Sequence, residues 1–373
     1  MAAVEAVTIP KWGMTMTEGT VVQWLAKEGE KVSRGQELLE IESTKVNNVV
    51  ESTAEGVLKR IVLKEGEAAP VGALIGVIAD DSATEEEIDA LIESYAHRMS
   101  SAEDVEAAAN QPRLITLPDG VVNVLEAGIE SDDILLLIHG FGGDLSTWMF
   151  NQTVFAEKIR TVAVDLPGHG ASSPVVGDDV FSAVANAVNA AASKIASGRL
   201  HLVGHSFGGA VAAAIAEMDP SKIASLTLIA PVGLSKEMNR EFLTDFIAAE
   251  RRRSLLNVLE RLFADPSKIT NEMVEGTLQF KRLEGVHEAL SRIAETIANE
   301  DGQARSIGAE VEKLMCPVMV IWGEKDAIIA VPDSSQLPSN VEFRVLPGVG
   351  HMPQMEAASA VNEAVLENVH RAR

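Results

Sequence analysis

Hydrophobic positions divide the chain into two stretches with different periodicity. In the first 80 residues apolar and polar side chains alternate over short runs (21–25, 37–41, 57–63 and 73–78), and glycines separate the runs. From residue 114 onward, continuous runs of valine, isoleucine and leucine alternate with helical stretches. Alternation is typical of strands with one buried face, whereas continuous runs are typical of a parallel sheet covered on both faces. The pattern predicts a small all-β domain over residues 1–80 and an α/β domain with a mostly parallel, eight-stranded sheet over residues 113–373.

The all-β domain repeats itself. The tetrapeptide Lys-Glu-Gly-Glu at 27–30 recurs at 64–67, and at the same spacing the glycines at 19 and 35 recur at 56 and 72. Two similar halves of short strands, related by a pseudo-twofold axis, would form a flattened barrel or sandwich. The segment 42–47, which joins the halves and contains Lys45, is then predicted to be a tight hairpin at one end.

Residues 81–112 form an acidic linker that is rich in alanine, serine, glutamate and aspartate. Thr84 and Glu87 are spaced as a capping box, and apolar residues at 88, 91, 92, 95 and 99 recur at helical spacing. The spacing predicts a short amphipathic helix, which is either a docking element for partner enzymes or a marginal helix in a tether. A flexible tether of this length would have an r.m.s. reach of about 30 Å.

The α/β domain contains a sequence suited to nucleophilic catalysis. Gly-His-Ser-Phe-Gly at 204–208 lies between a predicted strand and a helix of small residues, the setting in which a G-x-S-x-G turn exposes its serine above a sheet. A serine needs a base and an orienting carboxylate, and in this fold they follow in the chain order serine, acid, histidine. Asp326 and His351 each follow a predicted strand in that order. We predict that Ser206, Asp326 and His351 form a catalytic triad.

Two further segments are predicted to surround this triad. The glycine-rich sequence at 139–143 follows the predicted strand 134–138, so the backbone N–H groups of Phe141 and Phe207 are predicted to form an oxyanion hole. The region 236–312 is rich in helix formers and too long for a single crossover, which indicates a helical cap. Three consecutive arginines at 251–253 in this cap are either a phosphate site or a solvated helix face. No metal site is predicted.

The charge and composition of the chain argue against several classes of partner and indicate a reducing compartment. The formal net charge of −24 argues against binding to nucleic acid or to anionic membrane surfaces, because both are themselves negative. Cys316 is the only cysteine, so no intramolecular disulfide can form, which fits a reducing compartment. The sequence has no signal-peptide pattern and no apolar run long enough to span a bilayer, and a cytoplasmic enzyme is therefore predicted.

The glycines and apolar positions of the first domain follow a pattern known from carrier domains. They are Gly19, Gly29, Val32, Gly35, Leu38, Ile41, Glu42, Lys45, Gly56, Pro70, Val71 and Gly72. With these residues the domain resembles the lipoyl domains of 2-oxo-acid dehydrogenase complexes, in which the hairpin lysine carries lipoate through an amide bond. The resemblance implies that lipoate is covalently bound to Lys45, where a long arm on a protruding turn would reach several active sites.

The second domain, with its nucleophile turn and predicted cap, resembles the α/β-hydrolases. Together the two domains make the chain similar to the dihydrolipoyl acetyltransferase components of bacterial acetoin-cleaving dehydrogenase complexes. This resemblance implies acetyl transfer from S-acetyldihydrolipoyl-lysine to coenzyme A through Ser206. It also implies a thiamine-diphosphate-dependent acetoin dehydrogenase component and dihydrolipoyl dehydrogenase as partners, and a homo-oligomeric assembly.

Two other functions remain open at this point. Triad chemistry alone does not choose between water and a thiol as the acyl acceptor, so a thioesterase or a carbon–carbon-bond hydrolase is the rival enzyme class. The second alternative is a lipoyl carrier or scaffold whose hydrolase domain is inert. The intact serine, acid and histidine argue against it.

Overall fold

The structure, a computed structural model, describes residues 4–10, 18–42, 47–80, 82–100, 111–174, 178–300 and 302–372. The chain divides into two compact units, Met1–Ala109 and Asn110–Arg373. Each unit has its own hydrophobic core.

Two four-stranded sheets make up the β-structure of the first unit. Its strands are β1 (Val4–Thr8), β2 (Glu18–Trp24), β3 (Lys31–Val32), β4 (Glu37–Glu42), β5 (Asn47–Glu51), β6 (Gly56–Ile61), β7 (Ala68–Pro70) and β8 (Leu74–Ala79). One sheet has the order β1-β8-β6-β3 and the other β5-β4-β2-β7. Fully buried side chains such as Val21, Leu39, Leu58 and Ile75 form the core of the unit, as the alternation of apolar residues requires.

The sequence repeat is also a structural repeat. Gly29 and Gly66 have the same left-handed backbone, with φ of 83° in each. The N–H of Gly29 donates to the carbonyl of Leu58 at 2.8 Å, and the N–H of Gly66 donates to the carbonyl of Val21 at 2.7 Å. Each half therefore bonds to the other through the same contact, which is what a pseudo-twofold axis predicts.

The two strands on either side of the predicted hairpin turn are paired in the structure. β4 and β5 pair antiparallel, with Glu42 opposite Asn47. The segment 43–46 connects these paired ends, and Lys45 within it lies outside the described residues.

Helix α1 (Glu85–Ser100) occupies much of the segment that the sequence places in the linker. Thr84 and Glu87 form the predicted capping box, in which each backbone N–H donates to the other side chain. The helix packs against β1 and β8, where Ile88 joins Leu74 and Val77 in a small apolar cluster. The first compact unit thus extends beyond the predicted boundary at residue 80, because the apolar face of α1 is buried against the sheet instead of lying in a free tether.

Within the described part of the second unit, one eight-stranded sheet carries the fold. Its strands are β9 (Arg113–Leu117), β10 (Gly120–Ala127), β11 (Ile134–Ile138), β12 (Thr161–Val164), β13 (Leu200–His205), β14 (Ile223–Ile229), β17 (Val318–Gly323) and β18 (Val341–Leu346). The order is β18-β17-β14-β13-β11-β12-β10-β9. β10 pairs antiparallel with β9 and β12, and the other neighbours pair parallel, so loops that follow the central strands meet at one edge of the sheet.

Helices follow most of the strands, and a group of helices between β14 and β17 forms the cap. The helices are α2 (Gln152–Ala156), α3 (Val180–Ile195), α4 (Phe207–Met218), α5 (Arg240–Ala248), α6 (Arg252–Leu259), α7 (Asn271–Lys281), α8 (Val286–Ile297), α9 (Gly308–Glu312), α10 (Pro353–Glu356) and α11 (Ala358–Arg371). A short antiparallel pair, β15 (Ala298–Asn299) with β16 (Gly302–Gln303), follows α8. Helices α5 to α9 lie in the predicted cap region. Among the described helices none has the length and apolar content needed to cross a membrane.

Candidate active site

Ser206 lies in a strained turn between β13 and α4. Its backbone has φ of 51° and ψ of −119°, a combination that residues with a side chain rarely adopt. The backbone of the next glycine lies close to a neighbouring loop. A Cβ at Gly208 would lie 2.2 Å from the carbonyl oxygen of His139, so only glycine fits at this position. The turn places the Ser206 side chain at the carboxyl edge of the sheet.

Three predicted residues meet at this edge through hydrogen bonds. Ser206 Oγ is 3.0 Å from Nε2 of His351, and Nδ1 of His351 is 2.7 Å from Oδ2 of Asp326. The second carboxylate oxygen, Oδ1 of Asp326, accepts the backbone N–H groups of Ile328 at 2.8 Å and Ile329 at 2.9 Å. The side chain of Asp326 is fully buried and that of His351 is only 2% exposed, so water does not compete for the bonds between them.

The arrangement has the geometry that serine nucleophiles need. Nδ1 of His351 faces a carboxylate, so it carries the proton, and Nε2 is left to accept the Ser206 hydroxyl. The predicted triad residues therefore lie together, although their role in catalysis is still a prediction. Lys45, the predicted attachment site, is not among the described residues.

The glycine-rich loop 139–143 borders the nucleophile. A Cβ on Gly140 would lie 2.9 Å from Cβ of Ser206, and Phe207 follows Ser206 directly as the first residue of α4. The backbones of Phe141 and Phe207 thus belong to two segments that approach Ser206. Their assignment to an oxyanion hole remains a prediction.

Two buried histidines hold this loop by accepting backbone N–H groups. Nε2 of His169 accepts from Gly142 at 3.0 Å, and Nε2 of His139 accepts from Leu166 at 2.9 Å. Burial, assisted by the neighbouring His139, lowers the pKa of His169 to about 3. Burial also lowers the pKa of His139, although the nearby Asp165 opposes that shift. Both rings are therefore neutral at neutral pH, which their role as acceptors requires.

His205 makes a contact that the sequence pattern did not predict. Its Nε2 is 2.8 Å from the backbone carbonyl of His351, and since a carbonyl only accepts, this nitrogen carries the proton. Burial, and then the charge of His351, lower the pKa of His205 well below its ordinary value. Nδ1 of His205 has no hydrogen-bond partner in the described part of the protein. The residue before the nucleophile thus ties the turn to the backbone of the proposed base, and no local sequence pattern signals a bond between positions so far apart.

A narrow cavity of about 130 Å³ opens onto Ser206 and His351. Its other walls come from the glycine-rich loop and from the cap, chiefly Phe242, Leu243, Phe246, Met273 and Thr277. The ring of Phe246 lies edge-on to that of Phe141, with 5.5 Å between ring centres. Nζ of Lys281 donates to the carbonyls of Phe246 and Ala249, at the end of α5. The cap helix that walls the cavity is therefore fixed both to the loop and to α7.

The arginines of the cap are only partly available to a ligand. Arg252 pairs with Glu275 at 2.6 Å and bonds Asn271 at 2.6 Å. The residues at 251–253 are exposed at the start of α6. Because Arg252 already has an acidic partner, the structure favours the solvated helix face over a phosphate site built from all three.

Both units match known families. Residues 135–364 match the family model described as the alpha/beta hydrolase family. Residues 5–78 match the biotin/lipoyl model, described as biotin-requiring enzyme. The predicted fold class, a carrier-type β-domain followed by an α/β-hydrolase domain, is confirmed.

Two relatives match this sequence over nearly the whole chain. The dihydrolipoyllysine-residue acetyltransferase component of the acetoin cleaving system of Pseudomonas putida is 40% identical over 367 residues, which cover 98% of each chain. The chain belongs to this family. Another member, from Cupriavidus necator, is 36% identical over 357 residues, which cover 95% of each chain. The expected membership in the acetyltransferase family, and with it an enzymatic function, is confirmed.

A solved hydrolase structure shares the fold of the second unit. The meta-cleavage product hydrolase CumD from Pseudomonas fluorescens IP01 superposes with a TM-score of 0.62 at 19% identity, over 70% of this chain and 98% of that one. At this level of identity the likeness concerns the fold alone.

Proposed function

We propose that this chain transfers an acetyl group from S-acetyldihydrolipoyl-lysine to coenzyme A as a component of an acetoin-cleaving system. The observation that carries the proposal is the unbroken hydrogen-bonded series from Asp326 through His351 to Ser206. This series lies in a chain whose first unit matches a biotin/lipoyl family, and whose full-length relatives carry the name of such an acetyltransferase.

Lys45 is the proposed attachment point of the carrier arm. β4 and β5 stay paired up to Glu42 and Asn47, so the lysine belongs to the short connection at the end of a two-stranded hairpin. A hairpin end suits a carrier, because an arm attached to a turn can reach other active sites. Lipoate attached at Lys45 would supply a dithiol that carries the acetyl group as a thioester.

In the first half-reaction Ser206 accepts the acetyl group. His351 removes the hydroxyl proton through Nε2, and Oγ of Ser206 attacks the thioester carbonyl. The negative oxygen that develops is stabilised by the N–H groups of Phe141 and Phe207, at roughly 2.7–4 kcal/mol for each donor. The carbon–sulfur bond then breaks, and His351 returns the proton to the leaving thiolate. Asp326 stabilises the charged imidazole between these two steps.

In the second half-reaction the acetyl group leaves Ser206. His351 removes the proton of the coenzyme A thiol, the sulfur attacks the acyl-serine carbonyl, and the Ser206 oxygen leaves as its proton returns from His351. The proposed partners are a thiamine-diphosphate-dependent acetoin dehydrogenase component, which loads the carrier, and dihydrolipoyl dehydrogenase, which reoxidises it, in a homo-oligomeric assembly.

The size of the triad cavity supports a small acyl group. Its volume of about 130 Å³ lies well below the roughly 300–1,000 Å³ of sites that enclose larger ligands. A two-carbon acetyl group fits such a space at Ser206. Thioester hydrolysis with water as the acceptor and carbon–carbon-bond hydrolysis are the rival activities.

The decisive experiment follows both possible products of one donor. S-acetyldihydrolipoamide is incubated with the full chain and coenzyme A, and acetyl-coenzyme A and free acetate are measured. We expect acetyl-coenzyme A to dominate and Ser206→Ala to abolish its formation, while Ser221→Ala, which changes an exposed serine outside the cavity, retains it. Free acetate as the main product would make the protein a thioesterase. Failure of a fluorophosphonate probe to label Ser206 would favour an inert scaffold.

A further inference from the structure

A second cavity, the side groove, lies beside the triad cavity. Its volume is about 530 Å³, within the range of about 300–1,000 Å³ typical of small-molecule sites. Its lining residues are mainly apolar: Phe150, Phe263, Met355 and the alanines at 357, 358 and 360. Phe150 and the neighbouring Met149 are each 50% exposed. An open apolar groove of this size can bind a mainly aliphatic group.

The side groove adjoins the triad cavity. Phe263 and Met355 line both cavities, and Met149 of the triad cavity precedes Phe150 of the side groove. The cavity at Ser206 measures about 130 Å³, whereas the side groove measures about 530 Å³. A groove that adjoins the nucleophile suits the unreactive tail of a substrate whose reacting group lies at Ser206.

Hydrogen bonds fix the walls of the side groove relative to the proposed base. The carbonyl of Phe150 accepts from Nδ2 of Asn362 at 3.1 Å, which ties one wall to α11. The segment after Phe263 is tied to α10, because the N–H of Ala264 donates to Glu356 at 2.8 Å. The N–H of His351 donates to the carbonyl of Leu262, next to Phe263, at 2.8 Å. A groove held in this way is formed before a ligand arrives, which lowers the entropy cost of binding.

The charges in the side groove favour an uncharged tail. Lys268 and Glu356 are the ionisable residues among its described lining. Lys268 is exposed, whereas Glu356 uses both carboxylate oxygens to accept the N–H groups of Gly350 and Ala264, each at 2.8 Å. A phosphate group placed in the side groove would meet this carboxylate and only one described lysine. A carrier arm of methylene groups and an amide meets no such repulsion.

We propose that the side groove binds the aliphatic amide arm of lipoyl-lysine and holds it while the acetyl group reacts at Ser206. This assignment rests on the proposed function, and it identifies the groove as the binding site of the acyl donor. Coenzyme A then reaches the acyl-serine by another route, after the arm has withdrawn.

The test fills the side groove without altering the triad. Ala360 is exposed in the first turn of α11, so Ala360→Trp places a large ring in the groove at a position that tolerates it. His370→Trp, at an exposed position in the last turn of the same helix, is the matched control. We expect Ala360→Trp to lower kcat/KM for S-acetyldihydrolipoamide about tenfold relative to kcat/KM for p-nitrophenyl acetate, an ester without an arm, since a loss of roughly two buried methylene contacts amounts to such a factor. The KM for coenzyme A should stay within twofold of the wild-type value.

The outcomes separate the side groove from the proposed function. Unchanged donor kinetics would overturn the proposal. A rise in the KM for coenzyme A in the same variant would assign the groove to the acceptor instead. A binding measurement does not depend on turnover: equilibrium dialysis of lipoamide against Ser206→Ala should give a Kd about tenfold lower than against Ser206→Ala combined with Ala360→Trp. If the wild-type chain formed no acetyl-coenzyme A but lipoamide binding still required the groove, only the transferase assignment would fail.

Discussion

Acidification should weaken the second unit through His169, and the effect can be isolated by a single substitution. His169 is buried and accepts the N–H of Gly142 through a neutral ring, and its pKa in the folded protein is about 3. In the unfolded chain the same imidazole has a pKa of about 6.5. Below pH 6.5 the unfolded chain therefore binds a proton that the folded protein does not, so this contribution to stability is complete above pH 6.5 and declines as the pH falls toward 3.

The size of the effect follows from these two pKa values. Between pH 7 and pH 5, the proton bound by the unfolded chain at this one position lowers the free energy of unfolding by about 2 kcal/mol. Burial lowers the pKa of His139 and His205 as well, so these two residues should lower the free energy of unfolding further over the same pH interval, whereas the raised pKa of the buried Asp165 opposes the loss. His169→Gln removes the titration at position 169 while offering a side-chain oxygen that can accept the Gly142 N–H.

Urea unfolding at pH 7 and pH 5, at one ionic strength, measures the difference. The wild-type chain should lose about 2 kcal/mol more than His169→Gln on going from pH 7 to pH 5. The first unit is identical in the two proteins, so its own response to pH cancels in the comparison. Equal losses for both proteins would refute the argument, because they would mean that His169 does not resist protonation in the folded state.

Three further substitutions test other parts of the structure. Asp326→Asn keeps an oxygen that accepts the backbone N–H of Ile328 but turns an N–H toward Nδ1 of His351. The acetyl-transfer rate should therefore fall by up to about 10⁴-fold, while the circular dichroism spectrum stays that of the wild-type fold. Gly142→Ala, at φ of 74°, places a Cβ 2.4 Å from the ring of Phe246, and displacement of the loop should lower kcat by about 10²-fold in the same assay. Ile88→Ala should cost the first unit about 2–5 kcal/mol in a denaturant titration, since this side chain fills the contact between α1 and the sheet; a smaller loss would mean that α1 is not part of that unit.

Local sequence patterns predicted the proposed catalytic residues better than they predicted the short outer strands of the first unit. Ser206, Asp326 and His351 each have a local signal, either a nucleophile turn or a position after a strand, and the parallel sheet then brings them together. The two-residue β3 and the three-residue β7 have no usable periodicity. Their places are determined by pairing with β6 and β2, which the sequence does not display.

Contacts between distant segments account for the other features that the sequence left undetermined. The bond between His205 and the backbone of His351 forms only because the sheet places their loops side by side. The apolar spacing predicted helix α1, but whether the helix is free or docked depends on Leu74 and Val77, which lie before the predicted linker. The side groove likewise combines residues from three separated segments, so no single stretch of sequence indicates it.

The two sequence repeats exchange strands between the two sheets, and this exchange determines how the first unit unfolds. β1 and β3 come from the first repeat, yet they flank β8 and β6 of the second, and β5 and β7 flank β4 and β2 in the same exchanged manner. A fragment that ends at residue 42 would lack the outer strands of one sheet and the central strands of the other, so neither repeat can bury its own apolar face. The β-structure should therefore unfold as a single cooperative block, and β4 and β5 should stay paired until the whole domain unfolds.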